Sequence, residues 1–194
     1  MRGMMIECGK ALERTDLVQG TWGNISMRLD ENHMLITPSG MDYFEIQMED
    51  IVRLDLDSSD YGMQRVPSSE YRLHAGLYKA DPDCNAIIHT HSNGCSVFAA
   101  ANAGFRIDSP ELENVIGDLH VSEYASPGTD ALTESVMKAL NNTHACIIAN
   151  HGAIFYSHSL DLTLAIANAV EARACNLLGF GSTLGDTDEN NEEE

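Results

Sequence analysis

Two apolar segments that each end in histidine constrain the fold of this chain more than any other feature. Residues 86–91 read Ala-Ile-Ile-His-Thr-His, and residues 145–151 read Ala-Cys-Ile-Ile-Ala-Asn-His. Each run has the length and composition of a buried strand. Alternate residues of a strand point to the same face, so His89 and His91 are expected to project side by side. His151 can then supply a third imidazole from the end of a neighbouring strand.

Three imidazoles with an open fourth position are the usual protein ligands of a catalytic zinc ion. A His-x-His spacing also arises by chance in a chain with eight histidines, so the spacing alone is a weak signal. Burying an unpaired polar ring at the end of an apolar strand is costly, and this favours the metal interpretation. The remaining histidines are expected to be surface or hydrogen-bonded residues: His33, His74, His120, His144 and His158.

The pattern of apolar residues predicts an α/β domain with a central sheet and helices on its faces. A hairpin of two strands joined by Asp-Glu-Asn makes the sheet at least partly antiparallel. Serine is expected to cap the second and last helices, Thr129 or Asp130 the fourth, and Gly179 ends the last. The predicted helices are 4–18, 67–79, 92–102, 129–140 and 159–178, and the predicted strands are 24–29, 33–37, 51–56, 86–91, 119–124 and 145–150.

Length and charge narrow the class of protein. Residues 1–181 are predicted to form one domain, and the acidic segment 182–194 is predicted to be a disordered tail. The net charge of −19 argues against nucleic acid or an anionic membrane as a partner. The sequence shows neither a membrane span nor a signal peptide, and its five scattered cysteines are typical of reduced thiols, so a cytoplasmic location is expected.

Several short polar phrases are candidates for binding an anion. Glu70 follows Ser68 and Ser69 at a predicted helix start, where an acid commonly favours the helix dipole but can also act as a metal ligand or base. The two serines either cap the helix or help to form a phosphate cradle. The turns at Gly23-Asn24 and Ser39-Gly40 are ordinary turn sequences that also suit an oxyanion. No glycine-rich nucleotide-binding motif is present.

Five phrases, taken in order, resemble the signature blocks of one family. They are QGTWGNIS, ITPSGMDY, VPSSEYRLH, AIIHTHS and IIANHG, and the resemblance runs from about residue 4 to 178. The chain is similar to the class II aldolase/adducin superfamily, which includes L-fuculose-1-phosphate aldolase and L-ribulose-5-phosphate 4-epimerase. The resemblance implies a largely antiparallel sheet covered by helices on both faces. It also implies a cyclic homotetramer with active sites at the subunit interfaces.

The resemblance also assigns roles to residues. It implies Zn²⁺, or another divalent ion such as Mn²⁺ or Co²⁺, bound by His89, His91 and His151. Glu70 matches the family's catalytic base, which can also ligate the metal when substrate is absent. The positions that match the family's phosphate-binding residues are Gly23, Asn24, Ser39, Gly40, Ser68 and Ser69.

The function expected from this resemblance is that of a sugar-phosphate aldolase of the L-fuculose-1-phosphate type. Such an enzyme cleaves a ketose 1-phosphate to dihydroxyacetone phosphate and an aldehyde through a metal-stabilised enediolate. One alternative is a 4-epimerase acting on a pentulose 5-phosphate, and another is a dehydratase or decarboxylase of a phosphorylated ketose. A third is an adducin-like binding module without activity. Residues 104–127 depart from both enzyme patterns, and Tyr124 there is either a proton donor or a packed strand residue.

Overall fold

A six-stranded sheet forms the middle of the protein in the computed structural model, which describes residues 1–108 and 116–180. The strands are β1 Asn24–Arg28, β2 His33–Ile36, β3 Val52–Asp55, β4 Ala86–Thr90, β5 Phe105–Arg106, β6 Asp118–Leu119, β7 Ala145–Ile148 and β8 Gly152–Ser157. Their order in the sheet is β3-β2-β1-β4-β8-β7, and every neighbouring pair is antiparallel. The two short strands β5 and β6 pair with each other.

Helices cover both faces of this sheet. One apolar core lies between the sheet and helices α1, α3 and α5, and a second lies between the sheet and helices α2 and α4. The prediction of a largely antiparallel sheet covered on both faces is therefore confirmed. The helices are α1 Arg2–Arg14, α2 Tyr71–Ala80, α3 Asn93–Ala101, α4 Asp130–Leu140 and α5 Leu160–Leu177, with a short 3₁₀ helix at Met48–Asp50.

Side-chain caps place two of these helices where the sequence predicts them. The hydroxyl of Thr129 accepts a hydrogen bond from Leu132 N–H at the start of α4, and Ser159 does the same for Leu162 at the start of α5. Gly179, at a φ of +74°, follows the end of α5. A left-handed residue at this place is a common helix stop.

Three details of the predicted elements are wrong. Helix α2 begins at Tyr71 rather than at the two serines. Glu70, not a serine, occupies the N-cap position, and its side chain makes no capping hydrogen bond. The strand predicted over 119–124 is reduced to β6 and a single bridge between Val121 and Ile147. Strand β8 was not predicted at all, although it is buried along its whole length.

No helix in the described residues is long and apolar enough to cross a membrane. The predicted acidic tail, 182–194, lies outside the described residues.

Candidate active site

The three histidines come together at the edge of the sheet where strand β4 ends and its neighbours β1 and β8 begin. His89 lies in β4, paired with Asn24 of β1 on one side and Ile154 of β8 on the other. His91 follows β4 by one residue, and His151 occupies the tight turn between β7 and β8. Asn150 makes this turn possible by adopting a φ of +55°, which asparagine tolerates better than most residues. Sheet pairing therefore brings His89 close to a residue far along the chain.

Two glycines allow the backbone to pass close to His89. A Cβ at Gly152 would lie 2.2 Å from the carbonyl oxygen of Thr90 and 3.4 Å from Cε1 of His89. A Cβ at Gly23, which has a φ of +82°, would lie 2.7 Å from the carbonyl oxygen of His89. Any larger residue would push the neighbouring strand away. Packing therefore requires glycine at positions 152 and 23, whatever chemical role the residues beside them have.

The histidine nitrogens face one another in a cluster that fits a metal ion. One ligand nitrogen from each of His89, His91 and His151 lies within 4.8 Å of the other two. Nδ1 of His89 is 2.9 Å from the carbonyl oxygen of Ala153, to which it donates, so Nε2 is directed to the cluster. Nε2 of His89 is 2.9 Å from Nε2 of His91. A ring fixed by a carbonyl in this way is typical of metal-ligating histidine.

The carboxylate of Glu70 lies against two of the three histidines, His89 and His151. Its Oε2 is 3.1 Å from Nε2 of His89 and accepts a hydrogen bond of 3.0 Å from the Asn24 amide. Its Oε1 is 3.3 Å from Nε2 of His151 but makes no hydrogen bond, although the atom is buried. Only 4% of Glu70 is exposed. The carboxylate therefore keeps an acceptor atom free inside the cluster.

Burial and neighbouring groups shift the pKa values of His91, His151 and Glu70. Burial lowers the pKa of His91 to about 3 and that of His151 to about 4, and the neighbouring His89 adds to both shifts. Burial also raises the pKa of Glu70, but the facing imidazoles of His89 and His151 and the amide of Asn24 favour the carboxylate and lower the pKa overall. At neutral pH, His91 and His151 are thus neutral rings that face a carboxylate. Neutral imidazoles are the form that binds a metal.

A cavity of about 440 Å³ opens above the cluster. Every residue predicted to bind phosphate lines this cavity, together with Glu70, His91 and His151. Among the described residues that line it, none is lysine or arginine. Any anion bound here must therefore be held by neutral donors and by a cation. The predicted phosphate-binding residues in this cavity are Gly23, Asn24, Ser39, Gly40, Ser68 and Ser69.

The two serine loops differ from the cradle expected from the sequence. Backbone N–H groups at a helix start were expected to be free, but Glu70 N–H donates to Ser68 Oγ and Tyr71 N–H to the Ser68 carbonyl. The N–H of Ser39 is also engaged, by Val66. The side chains of Ser39 and Ser69 are exposed in the cavity. The hydroxyls of Ser39 and Ser69 are therefore donors that these loops present to the cavity, whereas the N–H groups of Ser39, Glu70 and Tyr71 are not.

Trp22 is a residue of the cavity that sequence reasoning missed. It is 61% exposed, and its ring centroid lies 5.7 Å from that of His91. A large exposed aromatic side chain at the rim of a polar cavity gives the bound molecule an apolar wall. Trp22 directly precedes Gly23 and Asn24, which were predicted to bind phosphate, and this proximity in sequence could have identified it as a residue of the site.

The remaining candidates are not among the described residues that line the cavity. Tyr124 is 66% exposed and is not one of the described residues that line the cavity. His33 is hydrogen-bonded to Asp30, and His74 is fully buried with its Nδ1 2.6 Å from Ser26 Oγ. The expectation that these two histidines are hydrogen-bonded is therefore confirmed.

Comparison with known proteins gives a consistent result. Residues 4–178 match the family described as class II aldolase and adducin N-terminal domain. The chain is 34% identical to the L-fuculose phosphate aldolase of Escherichia coli strain K12 over 168 residues, which are 84% of this chain and 75% of that protein. It is 30% identical to the 5-deoxy-D-ribulose 1-phosphate aldolase of Bacillus thuringiensis over 175 residues, 88% of this chain and 80% of that protein.

Solved structures agree with these sequence matches. A structure of L-fuculose 1-phosphate aldolase superposes with a TM-score of 0.85 at 34% identity. The match covers 97% of this chain and 91% of that one.

Proposed function

We propose that this chain, which belongs to the class II aldolase and adducin family, is a divalent-metal-dependent aldolase that cleaves a ketose 1-phosphate. The products are dihydroxyacetone phosphate and an aldehyde, and L-fuculose 1-phosphate is the first substrate to test. One observation carries the proposal: a buried carboxylate lies beside a cluster of three histidine rings at the base of a cavity lined by serine hydroxyls.

The residues present fit a divalent cation. His89, His91 and His151 each present a ring nitrogen to one point, and the buried Oε1 of Glu70 has no hydrogen-bond partner there. Nitrogen ligands of this kind suit Zn²⁺, and Mn²⁺ or Co²⁺ are also compatible. When bound, such an ion supplies Lewis-acid stabilisation of the negative charge that develops on the substrate's oxygens during carbon–carbon cleavage.

Glu70 is proposed to be the catalytic base. Its carboxylate is ionised and buried, and one oxygen is held by Asn24 while the other is free. A carboxylate in this position can exchange the proton on the carbon next to the carbonyl of dihydroxyacetone phosphate. The same carboxylate is near enough to the histidine nitrogens to take a ligand position before substrate enters.

Neutral groups are proposed to hold the substrate phosphate. The hydroxyls of Ser39 and Ser69 and the amide of Asn24 line one cavity, and no described lysine or arginine lines it. Hydroxyl and amide donors orient a phosphate without fixing it by charge alone. The Asn24 amide also donates to Glu70, so it links the proposed phosphate site to the proposed base.

A homotetramer is proposed as the assembly. Cleavage needs a group that takes the proton from the hydroxyl on the carbon that becomes the aldehyde, and the described residues that line the cavity include no tyrosine for this role. A site completed by a neighbouring subunit would supply such a group. Light scattering after size-exclusion chromatography would give the mass of the assembly, and a monomer with full activity would contradict this part of the proposal.

A cytoplasmic location is also proposed. The five cysteines are free thiols, and four of them are buried. Free buried thiols fit a reducing compartment. Fractionation of the cells that produce the protein would test this directly.

Release of dihydroxyacetone phosphate from L-fuculose 1-phosphate is the decisive measurement. The zinc-loaded protein would be assayed with and without a chelator, and 5-deoxy-D-ribulose 1-phosphate would be tested in parallel. Chelator-sensitive release from either substrate supports a metal-dependent aldolase, and the better substrate identifies the aldehyde. No release from either, with stoichiometric zinc shown in the same sample, would contradict the aldolase assignment and favour an epimerase, dehydratase or decarboxylase.

A further inference from the structure

The carboxylate of Glu171, in helix α5, holds the start of helix α3 through three hydrogen bonds. Ser92 Oγ donates to its Oε2 at 2.6 Å, and Cys95 N–H donates to the same oxygen at 2.9 Å. Gly94 N–H donates to its Oε1 at 2.6 Å. Both oxygens of one side chain are therefore engaged by the first turn of a different helix.

This contact replaces the cap that α3 would otherwise make for itself. Ser92 is the residue before the helix, yet its side chain makes no capping bond to the helix backbone. The first N–H groups of a helix lack partners within the helix, and a negative charge near them is favourable. Although burial raises the pKa of Glu171, its hydrogen bonds to Ser92, Gly94 and Cys95 outweigh that effect and lower the pKa overall. Glu171 is thus a charged cap supplied from α5.

Close packing of the two helices makes the contact possible. A Cβ at Gly94 would lie 2.9 Å from Cβ of Ala174 and 3.0 Å from the backbone nitrogen of Cys175. Only glycine lets α3 approach α5 this closely. The two helices are therefore fixed against each other beside the connection between β4 and α3, residues 91–92, which is called the corner below. Glu171 holds this corner through Ser92.

The backbone of His91 is joined directly to this corner, whereas that of His89 lies within the sheet. His89 is held by strand neighbours on both sides and by the Ala153 carbonyl. His91 lies one residue beyond β4 and one residue before Ser92, so its backbone joins the strand to the corner. Its ring contacts His89, His151 and Trp22, which are themselves residues of the site, so the position of its backbone depends on the corner.

We propose that Glu171 is a positioning residue of the metal site, which fixes the corner between β4 and α3 so that His91 is already aimed at the ion. The inference rests on the proposed metal-binding function. Glu171 itself touches neither the cavity nor the histidines in the described structure. Residues that hydrogen-bond to a metal ligand commonly change metal affinity about 10- to 100-fold when replaced. Because Glu171 acts through Ser92, next to His91, its replacement is expected at the lower end of this range.

Glu171→Gln is the sharpest substitution because it keeps the size of the side chain. A carboxylate accepts on both oxygens, whereas an amide has one acceptor oxygen and an NH₂ group that would face an N–H donor. The expected result is a zinc dissociation constant raised about tenfold or more. Turnover of the proposed aldolase reaction is expected to recover at saturating zinc, as it would not if Glu171 took part in the chemistry.

The chain's only tryptophan provides a readout that does not depend on activity. Trp22 lies against His91, so zinc binding should change its emission, and calorimetry would confirm the dissociation constant. Ser159→Ala is the matched control, since it removes a cap from the other end of the same helix. It should leave the zinc dissociation constant within about twofold of the wild-type value while lowering thermal stability.

The outcomes separate this inference from the function on which it rests. A wild-type protein that binds no zinc would overturn the metal site itself. Zinc binding that is strong in the wild type and equally strong in Glu171→Gln would overturn the role of Glu171 alone, as would an equal loss in Ser159→Ala. If Glu171→Gln does not fold, Ser92→Ala removes one of the same three hydrogen bonds, and unchanged zinc affinity in that variant would overturn the inference.

Discussion

The two ends of strand β1 open into two cavities of very different character. The cavity at the Arg28 end is the larger, about 700 Å³ against about 440 Å³ at the Asn24 end. Its two basic groups are already engaged: Arg28 donates to the carbonyls of Tyr78, Asp81 and Cys84, and Lys79 forms an ion pair with Asp57.

The smaller cavity instead keeps buried polar atoms that have no hydrogen-bond partner. These are Oδ1 of Asn24, Oε1 of Glu70 and Nδ1 of His151. Leaving a buried polar atom unpaired costs free energy that a fold tolerates where a ligand will later engage it. Unengaged hydrogen-bonding capacity, rather than volume, therefore distinguishes the candidate active site from the other cavity. The predictions below test this difference.

Replacing His91 by alanine should have the largest effect. Because the ring supplies one of three ligand nitrogens, zinc affinity should fall by more than the roughly 100-fold seen for residues that only orient ligands. Activity should be lost with it. Calorimetric titration with zinc measures the change, and the exposed His120→Ala serves as control. Stoichiometric zinc retained by His91→Ala would remove this residue from the ligand set.

Glu70→Gln should reduce turnover while the protein still binds zinc. Loss of a general base typically costs roughly 100- to 10,000-fold in rate. Steady-state kinetics together with metal analysis would separate the two properties. Glu31→Gln, an acid of the larger cavity, is the matched control and should leave turnover unchanged. Normal turnover in Glu70→Gln would rule out its role as base.

Arg28→Met should affect stability but not catalysis. It leaves three backbone carbonyls without their charged donor, for an expected loss of about 3 kcal/mol in the free energy of unfolding. Urea unfolding measures this loss. Arg65→Met removes only a surface ion pair with Asp50 and should cost less than about 1 kcal/mol. A lower turnover in folded Arg28→Met would break the distinction between the two cavities.

Between the cavities, His74 should make stability depend on pH. Ser26 Oγ contacts both His74 Nδ1 and the hydroxyl of Tyr78, and burial lowers the pKa of His74 to about 3. The unfolded chain, with a histidine pKa of about 6.5, binds the proton first, so the free energy of unfolding falls as pH drops from about 6.5 to about 3.

The contribution of His74 to this slope is at most about 1.4 kcal/mol per pH unit. His74→Gln should remove it while retaining a polar partner for Ser26. Urea unfolding at pH 7, 6 and 5 gives the slope for each protein. Parallel slopes would show that His74 is not the source of the pH dependence.

Local sequence signals predicted much of the fold and the components of the site. The hairpin β1–β2, the strands that carry His89 and precede His151, and the caps at Thr129 and Ser159 each have a short-range cause. Strand β8 was missed because the polar Asn-His-Gly phrase was interpreted as the end of a strand. In the structure it is a turn between two strands, a role that the left-handed Asn150 makes possible.

Other features depend on contacts that no local pattern contains. The N–H groups of Glu70 and Ser39 are engaged by neighbouring loop atoms, so the predicted backbone cradle for phosphate is not formed by them. The cap of α3 comes from Glu171, far along the chain. The roles assigned to the site residues stay predictions until the variants above are measured.

The strand order places the proposed metal site at β4, where the N-terminal strands of the sheet meet the C-terminal strands. Strands β1 to β3 and strands β7 and β8 meet at β4, and the ligand histidines belong to β4, its following corner and the β7–β8 turn. A cation bound there would join segments that approach only after long loops have closed. We therefore expect zinc to bind the native protein and not the unfolded chain, and to lengthen the lifetime of the native state rather than hasten its formation.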